Sequence, residues 1–488
     1  MNQFKTPLYD AVTDYIGKER APLFIPAHKL GRAIHPKWKA FAGDAIFKMD
    51  LCELEGLDDL HNAGDVIAEA QKLAADAWGA DESFFLINGT SSGIVAAICS
   101  AAAPGEKIIV PRNAHKSVVS GLIISGAEPV YAMPDIWQEK GLIGGMPVAE
   151  LARLLAENPD AKAVFAVSPS YHGVCSDIKS LADKAHERGC VFIADEAHGN
   201  HVYFHESLPD GALTLGADIS CQSTHKMSGS LTQSSILHVR GNRIDTGRLR
   251  ANLRLMQSTS PSYLLMSSLD LARSHIATAG HDIFAKLLPL IEDAKERLRA
   301  TPGIDVLGEE LVGNHAIYAY EPTRIILSAR RFGIEGYELY ETLRRDYGVE
   351  AEFGDYFYVI CVLGLGTTEQ DLIRLTDAVS DIASKRSASA SVANAEPLIW
   401  KEALPPLPPM AVTPREAHFA ETARIPWNEA KGKISAELIA PYPPGIPALC
   451  PGEYITDEMW EYLDTLRRAK RHMQGPGDSE LATVAVLG

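Results

Sequence analysis

The chain has 488 residues, which is long enough for two or three domains with separate hydrophobic cores. Hydrophobic residues make up 46% of it and charged residues 22%, values typical of folded globular proteins and not of disordered or fibrous ones. With 46 Lys and Arg against 63 Asp and Glu, the formal net charge is −17. Such an acidic chain is a poor electrostatic match for nucleic acid or an anionic membrane, so we expect neither as a partner.

The cysteine pattern and the hydropathy point to the cytoplasm. No run approaches the roughly 20 apolar residues that a membrane helix needs, and no secretory signal is visible. The seven cysteines are odd in number, and none has C-x-x-C spacing. This argues against a disulfide framework and against a cysteine-ligated zinc site. We therefore expect reduced thiols and no metal site.

Short apolar runs alternate with helical patterns from about residue 62 to 245, which predicts an α/β domain with a mostly parallel sheet. The predicted strands are Ser83–Ile87, Lys107–Val110, Ala163–Val167, Val191–Ala194 and Ser235–His238, and helical patterns include Ile94–Cys99, Val148–Glu157 and Leu181–Arg188. Ligands of such sheets bind beyond the carboxyl ends of the strands, so the chemistry is expected there.

A smaller α+β domain is predicted after a long helical stretch. The stretch covers 265–300, and the elements after it are Arg324–Leu327, a helix near Glu338–Asp346, the run Tyr356–Val362 and a helix near Glu369–Ile382. An Ala/Ser-rich segment and four closely spaced prolines then indicate a linker. We predict a major domain with its N-terminal segment over 1–285, a small domain over 286–384, a linker over 385–409 and a C-terminal domain over 410–488.

Two charged residues lie beyond the predicted strand Val191–Ala194. Asp195 comes directly after Val191–Ala194, and Lys226 lies further on in the motif Ser-Thr-His-Lys. Lysines are mostly surface residues, and an aspartate at a strand end is often a turn or cap residue. The functional interpretation is a lysine amine that holds an aldehyde cofactor and a carboxylate that pairs with its ring nitrogen.

Two further motifs follow strands in the same way. Asn88–Gly93 opens a helix with glycines and hydroxyls, which either form a plain N-cap or offer N–H groups to a phosphate. His115 follows Lys107–Val110, and its imidazole could stack on a planar cofactor, although a lone histidine is usually structural. These motifs together point to one kind of site.

At these residues the chain resembles the pyridoxal phosphate (PLP)-dependent ornithine/lysine/arginine decarboxylases, which have the aspartate-aminotransferase fold (PLP fold type I). The resemblance is to the short bacterial form, and most of all to biosynthetic arginine decarboxylases of Bacillus type. The segments that carry it are Phe24–Gly31, Gly56–His61, Asn88–Gly93, Val110–Ser117, Asp195–Gly199, Ser223–Lys226, Gly229–Ser235, Ser258–Asp270, Pro414–Ala417 and Ile434–Glu453.

The resemblance implies a role for each site residue. Lys226 would carry the cofactor, Asp195 would pair with its pyridine nitrogen, and His115 would stack on its ring. His225 is the fourth implied catalytic residue. The residues implied to surround the cofactor are Thr90, Ser91, Ser92, His198, Ser223 and His225.

The resemblance also implies the substrate, a basic amino acid, and a homodimer or a larger assembly of dimers. Arginine is the expected substrate, giving agmatine for polyamine and spermidine biosynthesis, with lysine or ornithine as the alternative. Glu352 and Asp355 are the candidate carboxylates for the distal cation, and their ordinary interpretation is a solvated acidic turn. Two hypotheses are less favoured: an aminotransferase, and a catalytically silent homologue that regulates a partner.

Overall fold

The computed structural model describes residues 1–387, 405–442 and 447–488. The chain divides into two compact units, each built from two stretches of sequence. The first unit comprises Met1–Ser100 with Ile193–Phe284, and the second unit comprises Ala101–Phe192 with Ala285–Gly488. The predicted domain boundaries at 285, 384 and 409 stay a prediction, and residues 388–404 of the predicted linker lie outside the described residues.

Helices and strands run through both units. The helices are α1 (Pro7–Ile16), α2 (Pro36–Ala42), α3 (Ala45–Lys48), α4 (Val66–Trp78), α5 (Gly89–Ala101), α6 (Lys116–Ser125), α7 (Val148–Glu157), α8 (Ile178–Glu187), α9 (Thr224–Met227), α10 (Thr246–Met256), α11 (Tyr263–Ala300), α12 (Gly336–Tyr347), α13 (Glu369–Ser387), α14 (Pro414–Phe419) and α15 (Asp457–Arg468). The strands are β1 (Glu82–Leu86), β2 (Lys107–Pro111), β3 (Glu128–Ala132), β4 (Ile136–Trp137), β5 (Leu142–Ile143), β6 (Ala163–Val167), β7 (Val174–Cys175), β8 (Val191–Asp195), β9 (Ile219–Gln222), β10 (Ser235–Val239), β11 (Asp305–Val306), β12 (Ala319–Tyr320), β13 (Arg324–Ser328), β14 (Phe353–Gly354), β15 (Val359–Val362), β16 (Thr422–Pro426), β17 (Ala440–Tyr442), β18 (His472–Gln474) and β19 (Thr483–Leu487). Among the described residues, no helix is long and apolar enough to cross a membrane.

The α/β architecture agrees with the sequence prediction. All five predicted strands form, as β1, β2, β6, β8 and β10, and each end lies within one residue of its predicted position. Helix α7 has the predicted bounds, and the long helical pattern becomes α11, a single helix of 38 residues. Every residue of β8 is buried, as expected for a short apolar strand covered on both faces.

The sheet of the first unit has the order β1-β10-β9-β8. Strands β8 and β9 are parallel, and Asp195 lies in register with Cys221. Strand β10 runs antiparallel to both of its neighbours, so the prediction that this run is a parallel strand was wrong. A short apolar run indicates burial on both faces but carries no signal of strand direction.

The second unit has parallel strands in the order β6-β2-β3, and Ile108 pairs with Ala163. A separate antiparallel sheet has the order β11-β13-β15-β14. Strand β15 is shorter than the predicted run Tyr356–Val362, because the Asp355 carboxylate accepts the N–H groups of Phe357 and Tyr358 and forms a turn.

The C-terminal part of the second unit has its own hydrophobic cluster. Strands β16 and β19 pair antiparallel, and the rings of Trp427 and Trp460 stack with centroids 5.8 Å apart. The Trp460 indole N–H donates to the Trp427 carbonyl at 2.8 Å. Residues 405–409, with the closely spaced prolines, form neither helix nor strand.

Asp58 organises the segment Gly56–His61 within the first unit. Its carboxylate accepts the backbone N–H groups of Gly64, Asp65, Ile67 and Ala68, at the start of α4. The Tyr263 hydroxyl donates to the Asp58 carbonyl at 2.5 Å, and His61 Nε2 lies 2.8 Å from the Ser258 carbonyl. The segments Gly56–His61 and Ser258–Ser262 therefore have a structural role in this chain. The resemblance also implies that they reach the cofactor of a neighbouring subunit, which stays a prediction.

We expect Asp58→Asn to lower the free energy of unfolding by about 1.5–3 kcal/mol, the usual worth of hydrogen bonds to a charged group. Although burial raises the pKa of Asp58, the backbone N–H groups outweigh it and hold the pKa below its ordinary value. Stability from a depressed carboxyl pKa is present at neutral pH and is lost as the pH falls through the folded-state pKa. The difference between the two proteins should therefore shrink in acid.

The measurement is urea unfolding at pH 7 and at a series of acidic pH values below 3.8, the ordinary aspartate pKa. Asp65→Asn is the matched control, because Asp65 occupies the N-cap position of α4 but its side chain makes no capping bond. Equal effects of the two substitutions at neutral pH would contradict the role of Asp58. Asparagine also tolerates the positive φ of 67° at this position, so backbone strain does not confuse the result.

Candidate active site

Lys226 lies on α9, a single helical turn that directly follows β9 in the first unit. Its Nζ is 3.0 Å from His198 Nε2, and its side chain is half-buried. A lysine amine held by a neighbouring imidazole beyond a strand end is placed to react with a carbonyl compound. The predicted neighbourhood of His198 and Lys226 is therefore present in the fold, while their roles stay a prediction.

Asp195 is the last residue of β8 and is buried, with 5% of its surface exposed. Its Oδ1 accepts the Ala197 N–H at 3.1 Å, which fixes the carboxylate orientation. Burial raises the pKa of Asp195, while the charge of Lys226 acts in the opposite direction. Because β8 and β9 are parallel neighbours, the strand ends place Asp195 beside the turn that carries Lys226.

Hydroxyl groups gather at the start of α5. Thr90 Oγ1 lies 2.6 Å from Ser223 Oγ and donates to Ser235 Oγ at 2.9 Å. Ser92 Oγ donates to the Gly89 carbonyl, and Ser91 is exposed. The predicted strand-turn-helix is confirmed, and the helix start and the hydroxyls together suit a phosphate.

His225 is held in one tautomer by the backbone. Its Nδ1 lies 2.8 Å from the Ser234 carbonyl, which can only accept, so Nδ1 carries the proton. Burial lowers the pKa of His225, the bond to Ser234 opposes this, and the neighbouring Lys226 charge lowers the pKa further. His225 is therefore a neutral hydrogen-bond donor to the loop that precedes β10.

The other predicted residues belong to the second unit. His115 is exposed and caps α6, because its Nδ1 accepts the Ser117 N–H at 3.2 Å. Glu352 is exposed, whereas Asp355 Oδ2 lies 3.0 Å from His172 Nε2. Both Asp355 oxygens are thus engaged by neighbours, because Oδ1 accepts the two backbone N–H groups of the turn before β15.

Glu196 is a buried residue of the site that the sequence reasoning missed. Its carboxylate accepts bonds from the Tyr203 hydroxyl, the Ser220 hydroxyl, the Gln222 amide and the Ala212 N–H. Burial raises its pKa, and these bonds oppose that change. The available signal was the acidic pair Asp195–Glu196, of which only the first member was assigned a role.

A second missed residue, Asn200, joins the loop after β8 to the lysine turn. Its Oδ1 accepts the Ser228 hydroxyl, and its Nδ2 donates to Gln222 Oε1 at 2.7 Å. Its carbonyl accepts the Trp78 indole N–H at 2.9 Å. Asn200 therefore braces the residues that follow Lys226, although it lies far from them in sequence.

One cluster of potential metal ligands occurs in the part of the chain that the structure describes. It consists of His205, Glu206 and His281, and His281 Nε2 lies 3.2 Å from Glu206 Oε2 at the surface. A hydrogen bond accounts for this contact without a metal. The expectation of no metal site stays a prediction.

The site and the fold together define a class of protein. A lysine on a turn after a strand, a buried carboxylate at the next strand end and hydroxyls at a helix N-terminus are the groups that hold PLP in enzymes of this fold type. The residues of the first unit fit this cofactor, because they offer an amine for its aldehyde, a carboxylate for its pyridine nitrogen and hydroxyls for its phosphate. The fold is that of the PLP fold type I enzymes.

Comparison with known proteins identifies the family. The family model "Orn/Lys/Arg decarboxylase, major domain" matches residues 6–371, and "Orn/Lys/Arg decarboxylase, C-terminal domain" matches 398–480. The chain belongs to the Orn/Lys/Arg decarboxylase family, as the resemblance predicted. PLP is the cofactor of this family and hence of this chain.

Similar proteins match this chain along its whole length. The arginine decarboxylase of Bacillus subtilis (strain 168) is 39% identical over 487 residues, which cover 100% of this chain and 99% of that protein. The arginine decarboxylase of Bacillus anthracis is 37% identical over 489 residues, covering 100% of this chain and 98% of that protein. The lysine decarboxylase LdcF of Francisella novicida superposes with a TM-score of 0.84 at 20% identity, covering 100% of this chain and 82% of that one.

We expect the apoprotein of Asp195→Asn to be more stable than the wild-type apoprotein at neutral pH. Asparagine keeps an acceptor for the Ala197 N–H and removes the buried charge. A carboxyl with a raised folded-state pKa loses stability as the pH rises from the unfolded to the folded pKa, so the difference should shrink in acid. Thermal unfolding of both apoproteins across this pH range checks the sign.

The same substitution should lower the activity of the holoenzyme. If the Asp195 charge pairs with the pyridine nitrogen, its removal should lower the decarboxylation rate by about 100-fold or more. A variant within about tenfold of wild type, which is under about 1.4 kcal/mol of barrier, would contradict the role of Asp195. If the Asp195→Asn apoprotein melts at a lower temperature than the wild-type apoprotein at neutral pH, burial of the Asp195 charge does not destabilise the apoprotein.

Proposed function

We propose that this chain is a PLP-dependent arginine decarboxylase that converts L-arginine into agmatine and CO₂. The observation that carries the proposal is the set of Lys226, Asp195 and His198 on adjacent strand ends, in a chain similar over its whole length to proteins named arginine decarboxylase. When bound, PLP supplies the electron sink that accepts the pair of electrons left as CO₂ departs.

The chain's own residues divide the work around that sink. Lys226 holds the cofactor through its Nζ, and the His198 imidazole at 3.0 Å exchanges a proton with that amine. The Asp195 carboxylate keeps a proton on the pyridine nitrogen, because an opposite charge favours the cationic ring. The cationic ring in turn offsets the cost of burying the Asp195 charge.

The remaining site residues hold the cofactor in place. Thr90, Ser91, Ser92 and Ser223 are proposed phosphate-binding residues, because they lie around the start of α5. His225 holds the loop before β10 through its Nδ1–H. His115 is the proposed stacking residue, and its Nδ1 contact with the Ser117 N–H sets the direction of its ring.

The wider setting is also a proposal. We expect a homodimer or an assembly of dimers, a cytoplasmic location, and a role in supplying agmatine for polyamine synthesis. What supports these expectations is membership of the family and the full-length similarity to the Bacillus proteins.

The decisive assay offers the purified holoenzyme L-arginine, L-lysine and L-ornithine separately and measures CO₂ and the amine. We expect CO₂ and agmatine in equal amounts from arginine and little turnover of the other two. Lys226→Ala should be inactive, and Lys184→Ala should be fully active, since Lys184 is paired with Glu187 on the surface.

Each competing reading predicts a different product. If cadaverine or putrescine is the main amine formed, the substrate is lysine or ornithine and not arginine. A keto acid formed only with an amino acceptor would indicate an aminotransferase. A folded, cofactor-loaded protein without turnover of any of the three amino acids would indicate a silent homologue.

Between the two candidate substrate carboxylates, the contacts favour Glu352. Asp355 already serves His172 and two backbone N–H groups, whereas Glu352 is exposed directly before β14. A carboxylate that faces a guanidinium can accept two parallel bonds, which the compact ammonium of lysine cannot donate. We propose that Glu352 binds the substrate guanidinium and that Asp355 shapes the loop around it.

If the bound substrate buries the pair, we expect Glu352→Gln to lower kcat/KM for arginine by an amount equivalent to about 2–5 kcal/mol, the range for a buried charge pair that loses one partner. Turnover of lysine should change little. Glu350→Gln is the matched control, because Glu350 is an exposed acid on the same turn and should leave arginine turnover unchanged. If Glu352 is dispensable, the substrate pocket lies elsewhere and the decarboxylase proposal survives.

A further inference from the structure

Arg112 is a buried cation directly after β2, with 6% of its surface exposed. Each of its three guanidinium nitrogens donates a hydrogen bond. Nε donates to the Pro447 carbonyl at 3.0 Å, and Nη2 donates to the Ala448 carbonyl at 2.7 Å. Nη1 and Nη2 reach the two oxygens of Glu453 at 2.5 and 2.7 Å, which is a bidentate pair.

Glu453 is completely buried and is fixed from its own side as well. Its Oε2 also accepts the Cys450 N–H at 2.8 Å, so the carboxylate receives three hydrogen bonds. The ring of Tyr131 packs against the guanidinium, with its centroid 4.8 Å from the Arg112 Cζ. The acceptors from Pro447 to Glu453 all lie in the region that matches the family's C-terminal domain.

The Arg112 backbone begins the turn that leads to His115. The Arg112 N–H donates to the Ala132 carbonyl on β3, and the Ala114 N–H donates to the Pro111 carbonyl. His115 follows at once and caps α6 through its Nδ1. Arg112 and His115 are close in sequence and belong to the same turn. A displacement of the Arg112 guanidinium would therefore move the turn that carries the His115 ring.

The same C-terminal region touches the other end of α6. Arg415 donates from Nη1 to the carbonyls of Ile123 and Ile124, at 3.1 and 2.7 Å. This contact is exposed and lies at the end of α6 that is remote from His115. It holds the helix but not the turn. Removal of this contact therefore tests the packing of the C-terminal region on α6 without disturbing the turn that carries His115.

We propose that Arg112 and Glu453 are positioning residues through which the C-terminal domain sets the orientation of the His115 ring. This inference rests on the proposed role of His115 as the residue that stacks on the cofactor. It assigns the C-terminal domain a part in catalysis although none of its residues is among the proposed cofactor ligands.

The chemistry of the pair favours positioning over stability. A buried ion pair is often no more stabilising than a well-packed apolar pair of the same volume, because both ions lose their hydration. The planar guanidinium of Arg112 instead fixes the relative positions of its partners, because it donates to two carboxylate oxygens and two carbonyls at once. An apolar pair could fill the space but could not fix the turn in this way.

The test compares Glu453→Gln, the double variant Arg112→Met/Glu453→Leu, His115→Ala and Arg415→Ala with wild type. The readouts are the visible circular dichroism of bound PLP, PLP affinity, kcat and KM, and the melting temperature. We expect Glu453→Gln and His115→Ala to change the visible dichroism in the same direction, and Glu453→Gln to lower kcat by up to about 100-fold. Arg415→Ala should leave the dichroism unchanged.

The double variant decides the matter if Glu453→Gln does not fold. It should melt near the wild-type temperature and still show the altered dichroism and the reduced kcat. Full recovery of both in the double variant would overturn the proposal, because the pair would then act through stability alone.

Two further outcomes separate this inference from the proposed function. If His115→Ala changes the dichroism and kcat while a folded Glu453→Gln does not, the positioning role is overturned and the role of His115 stands. If His115→Ala changes neither, the proposed role of His115 is wrong and this inference falls with it, whereas arginine decarboxylation is judged separately by its products.

Discussion

The parallel pairing of β8 with β9 is the constraint on which the site depends. It places the buried Asp195 carboxylate in register with Cys221, beside the single turn that carries Lys226. Burial raises the pKa of Asp195, so the charged form that the proposed chemistry needs is costly without a cation. The bonds that Glu196 accepts and the contacts of Asn200 hold the two strand ends in this arrangement.

Much of this arrangement could be predicted from the sequence, because local patterns determine it. The apolar runs predicted five strands, and Thr90 and Asp195 lie just beyond the ends of two of them, whereas Lys226 follows β9. Strand β9 was missed because Ser220 and Gln222 interrupt its apolar pattern, and both side chains bind Glu196 instead. The direction of β10 was wrong because direction depends on connections that a short apolar run does not encode.

The contacts that could not be predicted join distant parts of the sequence. Arg112 and Glu453 are 341 residues apart, and each lies in a segment whose resemblance to the family was visible before their pairing was known. Asn200 and Trp78 likewise meet across 122 residues. Local propensity carries no information on such pairs, so the sequence predicts the proposed chemical groups of the site better than the residues that position them.

The most direct test of the central claim is to reduce the holoenzyme with borohydride, which fixes a lysine-bound aldehyde cofactor to its lysine, and to map the label by mass spectrometry. The expected result is a pyridoxyl group on Lys226 and no label in the Lys226→Ala chain. A label on a different lysine, or a label that persists after Lys226 is replaced, would contradict the assignment of the site to the ends of β8 and β9.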